Sequence, residues 1–354
     1  MSKNNMNAKN KITIPILCCL VLVLSGCNQT GKKNRNKAHY TYLQEYGEIF
    51  HTSFHVKYAY DRSLYDEIMD ELHKFDDSLN PFNEHSIISK INRNEPVQPD
   101  SFFVAVFNKA MEVSRITDGK FDITVAPLVN AWGFGFKNSD NITPELIDSL
   151  KQVVGYEKVR LENGKIVKAD PRVQLDASAI AKGYACDVVA DLLRSYGVED
   201  YMIEIGGEIA MHGKNDKGVC WRIGIDKPMD DSTGLHHELQ TILSICDQCV
   251  ATSGNYRNYY VKDGKKYAHT IDPQTGYPSE QDILSATVIA DDCMTADAYA
   301  TAFMASGMEK SKEIAKKVPG LFYYFIYAQP DGTMATTYSA GFEQFFAEGK
   351  EAEI

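Results

Sequence analysis

Residues 176–212 read DASAIAKGYACDVVADLLRSYGVEDYMIEIGGEIAMH, and the order of elements in this stretch decides the fold class. Asp176 closes a strand-like run, VQLD. Small residues and Lys182-Gly183 follow. A helical spacing over 178–196 then puts Ala181, Tyr184, Val188 and Leu192 on one face and stops at Gly197. Two strand patterns come next in direct succession, 201–205 and 208–212, and Gly206 and Gly207 allow close backbone approach between them. A helix that leads into two consecutive strands is not a βαβ unit.

The flanks repeat this irregular order. Segment 46–60 reads as one strand, and 61–77 as an amphipathic helix through Leu64, Ile68, Leu72 and Phe75. A helix over 101–116 follows Pro99-Asp100. Strands are expected at 220–226, 239–246, 256–262, 265–271, 283–290 and 321–328, with Asp263-Gly264 as a two-residue hairpin turn. A last helix spans 293–306 and ends at Gly307. The class is therefore α+β, a mixed, largely antiparallel sheet with packed helices.

The front of the chain has a different character. Lys3, Lys9 and Lys11 precede an apolar run from Ile12 to Leu24, too short for a comfortable membrane span. Leu24-Ser25-Gly26-Cys27 resembles the lipobox of bacterial lipoproteins. That resemblance implies cleavage before Cys27, lipidation of its thiol, and an extracytoplasmic, membrane-anchored protein, on the periplasmic side of the inner membrane or in the outer membrane. An uncleaved anchor or a plain secretory signal would also export the chain. The expected boundaries are a signal peptide over 1–26, the lipidated cysteine and a flexible tether over 27–45, one domain over 46–345 and an acidic tail over 346–354. With 44% hydrophobic residues the chain can bury a substantial core, and a net charge of −11 argues against a nucleic-acid surface.

Beyond Cys27 five cysteines remain, Cys186, Cys220, Cys246, Cys249 and Cys293, an odd number that leaves at least one free thiol unless chains cross-link. Cys246 and Cys249 form a C-x-x-C pair in strand-like surroundings, with no second ligand pair at zinc spacing. Buried small hydrophobes or a local disulfide suit them better than redox or metal chemistry.

Several segments carry candidate chemistry. Small residues, a helix start and Lys182 at 176–187 suit a phosphorylated ligand, with Asp176 placed to accept from its base or sugar; an ordinary strand–turn–helix fits the same residues. On the helix over 293–306, Asp297 and Thr301 are four apart and share a face, where a carboxylate and a hydroxyl suit a hard divalent cation that takes other oxygens from phosphates. His269 sits at a strand end before a turn forced by Pro273 and Gly276, where an imidazole can act as a general base or be purely structural. The aromatic, glycine-rich stretch 119–136 can wall a flat ring or fill a core.

GKFDITVAPLVNAWGFG (119–135), LDASAIAKGYACD (175–187), IEIGGEI (203–209), VATSGNYRNY (250–259), HTIDPQTGYP (269–278) and DCMTADAYATAF (292–303) occur in the order and spacing of the ApbE family, the FAD:protein FMN transferases. The resemblance covers about residues 46–345. It implies an ApbE-type α+β fold, FAD as substrate and Mg²⁺ as cofactor. The family's reaction moves FMN from FAD onto a Thr or Ser hydroxyl of another protein and releases AMP. The implied acceptors are exported flavoprotein subunits of the Na⁺-pumping NADH:quinone reductase and Rnf types, with a motif resembling Asp-Gly-x-Ser/Thr-Gly-Ala-Thr. By position, Asp176, Lys182, Lys120, Phe121, Asp122 and Ile271 match FAD-contacting residues. Ala179 matches a residue that offers its carbonyl to magnesium, Asp297 and Thr301 match the side-chain metal ligands with Ala300 adjacent, and His269 matches the proposed catalytic base. Two flavin-lining positions depart from the usual pattern: Phe50-His51-Thr52 replaces Met-Gly-Thr, and Phe82 replaces a tyrosine.

Rival readings start from the same residues. Some family members hydrolyse FAD to FMN and AMP, which would make this a Mg²⁺-dependent FAD pyrophosphatase. A non-catalytic flavin-binding lipoprotein and a redox enzyme with a resident flavin are further removed. DILSAT at 282–287 resembles a shortened acceptor motif, but it lacks the glycine, is one residue short and lies in an apolar strand pattern.

Overall fold

A computed structural model describes residues 41–135, 142–228, 238–255, 259–262 and 265–348. The lipobox with Cys27, the Asp263-Gly264 turn and residues 349–354 lie outside the described residues. The chain opens with β1 (Thr41–Ile49) and β2 (Thr52–Tyr60), followed by α1 (Tyr65–Leu79), α2 (Ile87–Asn92) and α3 (Ser101–Ile116). Short α4 (Ala126–Ala131) and α5 (Pro144–Lys151) lead to the small hairpin β3 (Val159–Glu162) and β4 (Lys165–Lys168). Next come α6 (Ala181–Ser195), β5 (Tyr201–Ile205), β6 (Glu208–His212), β7 (Trp221–Asp226) and β8 (Leu239–Ile245). Then follow β9 (Cys249–Gly254), β10 (Tyr259–Lys262), β11 (Lys265–Ala268) and β12 (Ile283–Ala290). The chain closes with α7 (Cys293–Ser306), α8 (Met308–Ala315), β13 (Phe322–Ala328) and β14 (Met334–Tyr338).

Eight strands form the main sheet in the order β1-β2-β5-β6-β9-β12-β13-β14, and every described pair is antiparallel. The α+β class holds, with no parallel pair among the described strands. β12 lies between β9 and β13 and is buried along nearly its whole length, so its sequence ILSATVIA reads as a continuous apolar run rather than an alternation. β5 shows the strict alternation of a strand with unlike faces.

α6 and α7 pack against the central strands on one face of the sheet, with α1 and α3 outside them. α7 is apolar around most of its circumference, and eleven of its residues are buried, as expected of a helix enclosed on all sides. The opposite face carries a second core, in which β7 and β8 bring Trp221, Ile223 and Leu243 onto Met211, Tyr324 and Phe342. A third cluster, Leu128, Trp132, Ile147, Val154 and Ile271, lies beneath the 119–135 segment.

Several expectations are corrected. The run 46–60 is two strands. Phe50 and His51 form the turn between them at φ 53° and 59°, a conformation that β-hairpin turns require and that aromatic side chains do not advertise. β1 starts at Thr41, so residues 41–45 belong to the sheet and not to a tether. The tail starts later than 346: Phe346 packs on Tyr338 and Phe342, and the Ala347 N–H donates to the Ile242 carbonyl at 2.9 Å. The run ending at Asp176 is no strand. Its backbone is held by Asn92, whose side chain both accepts from Leu175 N–H (2.7 Å) and donates to the Leu175 carbonyl (2.9 Å). The local Cys246–Cys249 disulfide does not form. Cys246 is bonded to Cys220 across the end of the β7–β8 pair, while Cys186, Cys249 and Cys293 are buried free thiols.

Candidate active site

The six motif segments meet around one cavity of about 830 Å³. Residues 120–135 and 174–182 form two of its walls, and Gly206, Glu208, Thr252, Ser253 and Gly254 project from the sheet. His269, Thr270, Ile271 and Pro273 close one end, and Asp297, Thr301 and Ala305 line it from α7. Its volume falls within the usual range of small-molecule and cofactor sites, roughly 300–1,000 Å³.

The floor is built where α6 and α7 cap one another. A helix leaves its first N–H groups unpaired, and α6 has no side-chain cap of its own. Asp297 of α7 supplies the missing acceptor, its Oδ2 receiving the Gly183 N–H at 2.9 Å. In return Asp187 of α6 accepts from Cys293 N–H and Met294 N–H of α7, both at 2.8 Å, beside the local N-cap Asp292. Only glycine permits this approach. A Cβ on residue 183 would lie 2.2 Å from the Cys293 carbonyl oxygen and 2.7 Å from the Asp297 Cβ. Burial pushes the Asp187 carboxyl up to about 7, against the pull of its two backbone donors.

Lys182 enters the cavity one residue before this crossing. Its Nζ lies 2.5 Å from Glu208 Oε1. Burial works against its charge, but the carboxylates of Asp297 and Glu208 outweigh that and hold the ammonium above the ordinary lysine range. Burial raises both acids, and the Lys182 ammonium pulls each back down. One ammonium thus serves two buried carboxylates.

The 119–135 wall is braced from within. Asp122 is 7% exposed; its Oδ1 accepts from Thr124 N–H (2.8 Å) and hydroxyl (2.6 Å), and its Oδ2 from Tyr156 N–H (2.8 Å). Asp122 lines the cavity, yet both carboxylate oxygens work as a bracket for the chain, and burial pushes its carboxyl up to about 6. Lys120 pairs with Asp272 at 2.7 Å, which links this wall to the turn that follows His269. Asp272 also accepts from Gln274 N–H, and the Trp132 indole N–H donates to the Gly276 carbonyl at 2.8 Å. The strand end bearing His269 is therefore held by the wall opposite, and the His269 ring lies edge-on to Phe134, centroids 6.4 Å apart.

Most of the expected residues line this cavity: Lys120, Phe121, Asp122, Asp176, Ala179, Lys182, His269, Ile271, Asp297, Thr301 and, at the rim, Phe82. Asp176 has its Oδ1 turned onto Ser178 N–H at 2.8 Å. Phe50 and Ala300 are not on the wall. The Phe50 ring sits 5.5 Å from Phe75, and Ala300 is fully buried in the main core. Among the described residues no three His, Cys, Asp or Glu form a metal-binding group. Asp297, Thr301 and Ala179 all line the cavity, and the Thr301 hydroxyl lies 3.3 Å from Ser253 Oγ; a carboxylate and a hydroxyl are oxygen donors of the kind a hard cation takes. Glu208 and Asp187 escaped sequence reading. Glu208 directly follows the glycine pair, and Asp187 ends the lysine motif, but nothing local marks either as a partner of a helix elsewhere. Thr287 of DILSAT is 1% exposed and hydrogen-bonded to Thr252 at 2.9 Å, which rules it out as a modified hydroxyl in this fold.

Comparison with known proteins agrees with this geometry. The ApbE family model matches residues 50–325. The FAD:protein FMN transferase of Vibrio cholerae is 36% identical over 307 residues, covering 84% of this chain and 88% of that protein. The Escherichia coli enzyme of the same name is 34% identical over 81% of this chain and 83% of its own length. The solved flavin transferase ApbE from Vibrio cholerae superposes with a TM-score of 0.77 at 34% identity, covering 87% of this chain and 100% of that one. The apo flavinyl transferase ApbE of Pseudomonas stutzeri gives 0.77 at 30% identity, covering 88% and 98%. A matched span that includes every wall of the cavity, together with this superposition, places the chain in the ApbE family.

Proposed function

We propose that the protein is an FAD:protein FMN transferase. It attaches FMN from FAD through a phosphoester to a Thr or Ser of an exported flavoprotein subunit, of the NADH:quinone reductase or Rnf type, that carries an Asp-Gly-x-Ser/Thr-Gly-Ala-Thr-like motif. The observation that carries this reading is the single cavity in which His269, Lys182, Asp297, Thr301 and the 120–135 wall converge. The relatives that share its sequence bear that activity in their names.

FAD is the substrate, held by its isoalloxazine against the aromatic wall near Phe121, Phe134 and Phe82, with Asp176 accepting from it and its pyrophosphate toward Lys182. His269 takes the proton of the acceptor hydroxyl at a ring nitrogen. The hydroxyl oxygen forms a bond to the FMN phosphorus, the phosphoanhydride bond to AMP breaks, and AMP leaves with the electron pair. Lys182 holds positive charge beside the pyrophosphate. The hard oxygen donors fit Mg²⁺, which Asp297, Thr301 and the Ala179 carbonyl would hold and which would neutralise phosphate charge. Lipidation at Cys27 would place the enzyme at a membrane surface outside the cytoplasm. The Cys220–Cys246 disulfide supports that placement, because such bonds persist in oxidising compartments.

The test is to incubate the purified protein with FAD, Mg²⁺ and an exported acceptor domain bearing the motif, then measure the intact mass of the acceptor. A gain of one FMN residue, absent once the acceptor hydroxyl is removed, is expected. Free FMN and AMP with no mass gain would replace the transferase with an FAD pyrophosphatase.

A further inference from the structure

Glu208 has no role in the reaction above, yet it is 4% exposed, lines the cavity and keeps Oε2 buried with no hydrogen-bond partner. Its Oε1 takes the Lys182 ammonium at 2.5 Å. The approach is prepared by the turn before it. Gly206 stands at φ +62°, and a Cβ there would lie 3.2 Å from Lys182 Cδ and 3.0 Å from Thr52 Cγ2, so the lysine stem runs over the glycine to reach Glu208. Among the described residues Lys182 makes no ion pair with Asp297, whose Oδ2 is occupied by Gly183 N–H. Asp297 is nevertheless the other carboxylate acting on this ammonium.

We infer that Glu208 is a positioning residue: by holding the Lys182 ammonium at its own carboxylate it keeps that ammonium off Asp297 and leaves Asp297 open to a divalent cation. The inference rests on the metal role of Asp297 proposed above. Without Glu208, the nearest anion for a flexible lysine is Asp297, and an ammonium there occupies the charge a cation needs.

The test is direct binding of Mn²⁺ to the full chain, without FAD, followed by the electron paramagnetic resonance signal of free Mn²⁺. Wild type, Glu208→Gln, Lys182→Met and the double variant are compared. Loss of one charged hydrogen bond corresponds to about a tenfold or greater effect, so Glu208→Gln is expected to raise the Mn²⁺ Kd by about that factor. Lys182→Met is expected to restore most of that loss in the Glu208→Gln background while tightening wild-type binding far less. The same factor in both backgrounds would mean that Glu208 acts only as a distant charge and would overturn the inference. So would an unchanged Kd with a lowered melting temperature, the mark of a structural brace. Glu208→Asp covers misfolding of the glutamine variant. It keeps the charge but shortens the reach, and it is expected to weaken Mn²⁺ binding; wild-type affinity in that variant refutes positioning. Absence of Mn²⁺ binding in wild type, with Asp297→Asn equally silent, would overturn this inference and the metal assignment together, whereas loss of FMN transfer alone would leave it standing.

Discussion

Replacing Gly183 by alanine separates two physical effects that predict opposite signs. Helix propensity alone says that alanine within α6 stabilises by about 1 kcal/mol. The packing says otherwise. The new methyl would lie 2.2 Å from the carbonyl oxygen of Cys293 and 2.7 Å from its carbonyl carbon, both backbone atoms that no rotamer change can move. α6 and α7 must part by roughly 1 Å to restore ordinary contact. Overpacking of this kind costs about 1–3 kcal/mol, and the parting lengthens the 2.9 Å bond from Gly183 N–H to Asp297, a hydrogen bond to a carboxylate worth about 1.5–3 kcal/mol. Subtracting the propensity gain leaves a net loss of about 1.5–5 kcal/mol. Urea unfolding would measure it, followed by circular dichroism and by the fluorescence of Trp132 and Trp221, one beside the cavity and one in the second core. Mn²⁺ binding should weaken in parallel, because Asp297 moves with α7. Unchanged or increased stability would refute the claim that the α6–α7 crossing is set by the missing side chain.

Further expectations follow from the same geometry. His269→Ala should abolish FMN transfer while FAD still binds, checked by acceptor mass and by flavin fluorescence; full transfer would remove it as the base. Cys220→Ser should cost up to about 3.5 kcal/mol in denaturant unfolding, the chain-entropy value for the 26-residue separation the disulfide spans, with FAD binding retained because β7 and β8 lie on the face away from the cavity. Asp122 and Asp187 have folded pKa values raised by burial to about 6 and about 7, above the unfolded 3.8. Their contribution to stability is complete below the unfolded value and is lost as pH rises through the folded ones. Stability should therefore fall between about pH 4 and 7, and Asp187→Asn should flatten that fall by up to about 1.4 kcal/mol per pH unit; an unaltered slope would show that Asp187 is ionised in the fold.

Regular elements with strong local patterns were legible in the chain: the helix over 293–306, the strands 201–205, 208–212 and 283–290, and the six ordered motifs that line one cavity. Their cues are periodicity, caps and turn residues, which act over four to eight neighbours. The hairpin at Phe50-His51 escaped because its strained turn uses aromatic residues where glycine or asparagine is the usual marker. β14 (Met334–Tyr338) escaped because MATTY has no run of apolar residues and gains its place only by pairing with β13.

The cysteines and acids mark where local reading ends. C-x-x-C spacing put Cys249 within reach of Cys246, yet the β7–β8 register places Trp221 opposite Ile245, so the thiols that meet are those of the flanking residues, Cys220 and Cys246. By itself the sequence marked the segments that line the cavity, since each motif is a short string with its own turn or helix start. Only the tertiary structure decided which acid does what. Asp297 caps a helix 114 residues away, Asp187 returns the cap, and Glu208 holds Lys182. Unpaired N–H groups and a buried ammonium demand partners, and which acids answer depends on the packing of α6 against α7 and the sheet rather than on any neighbour in the chain.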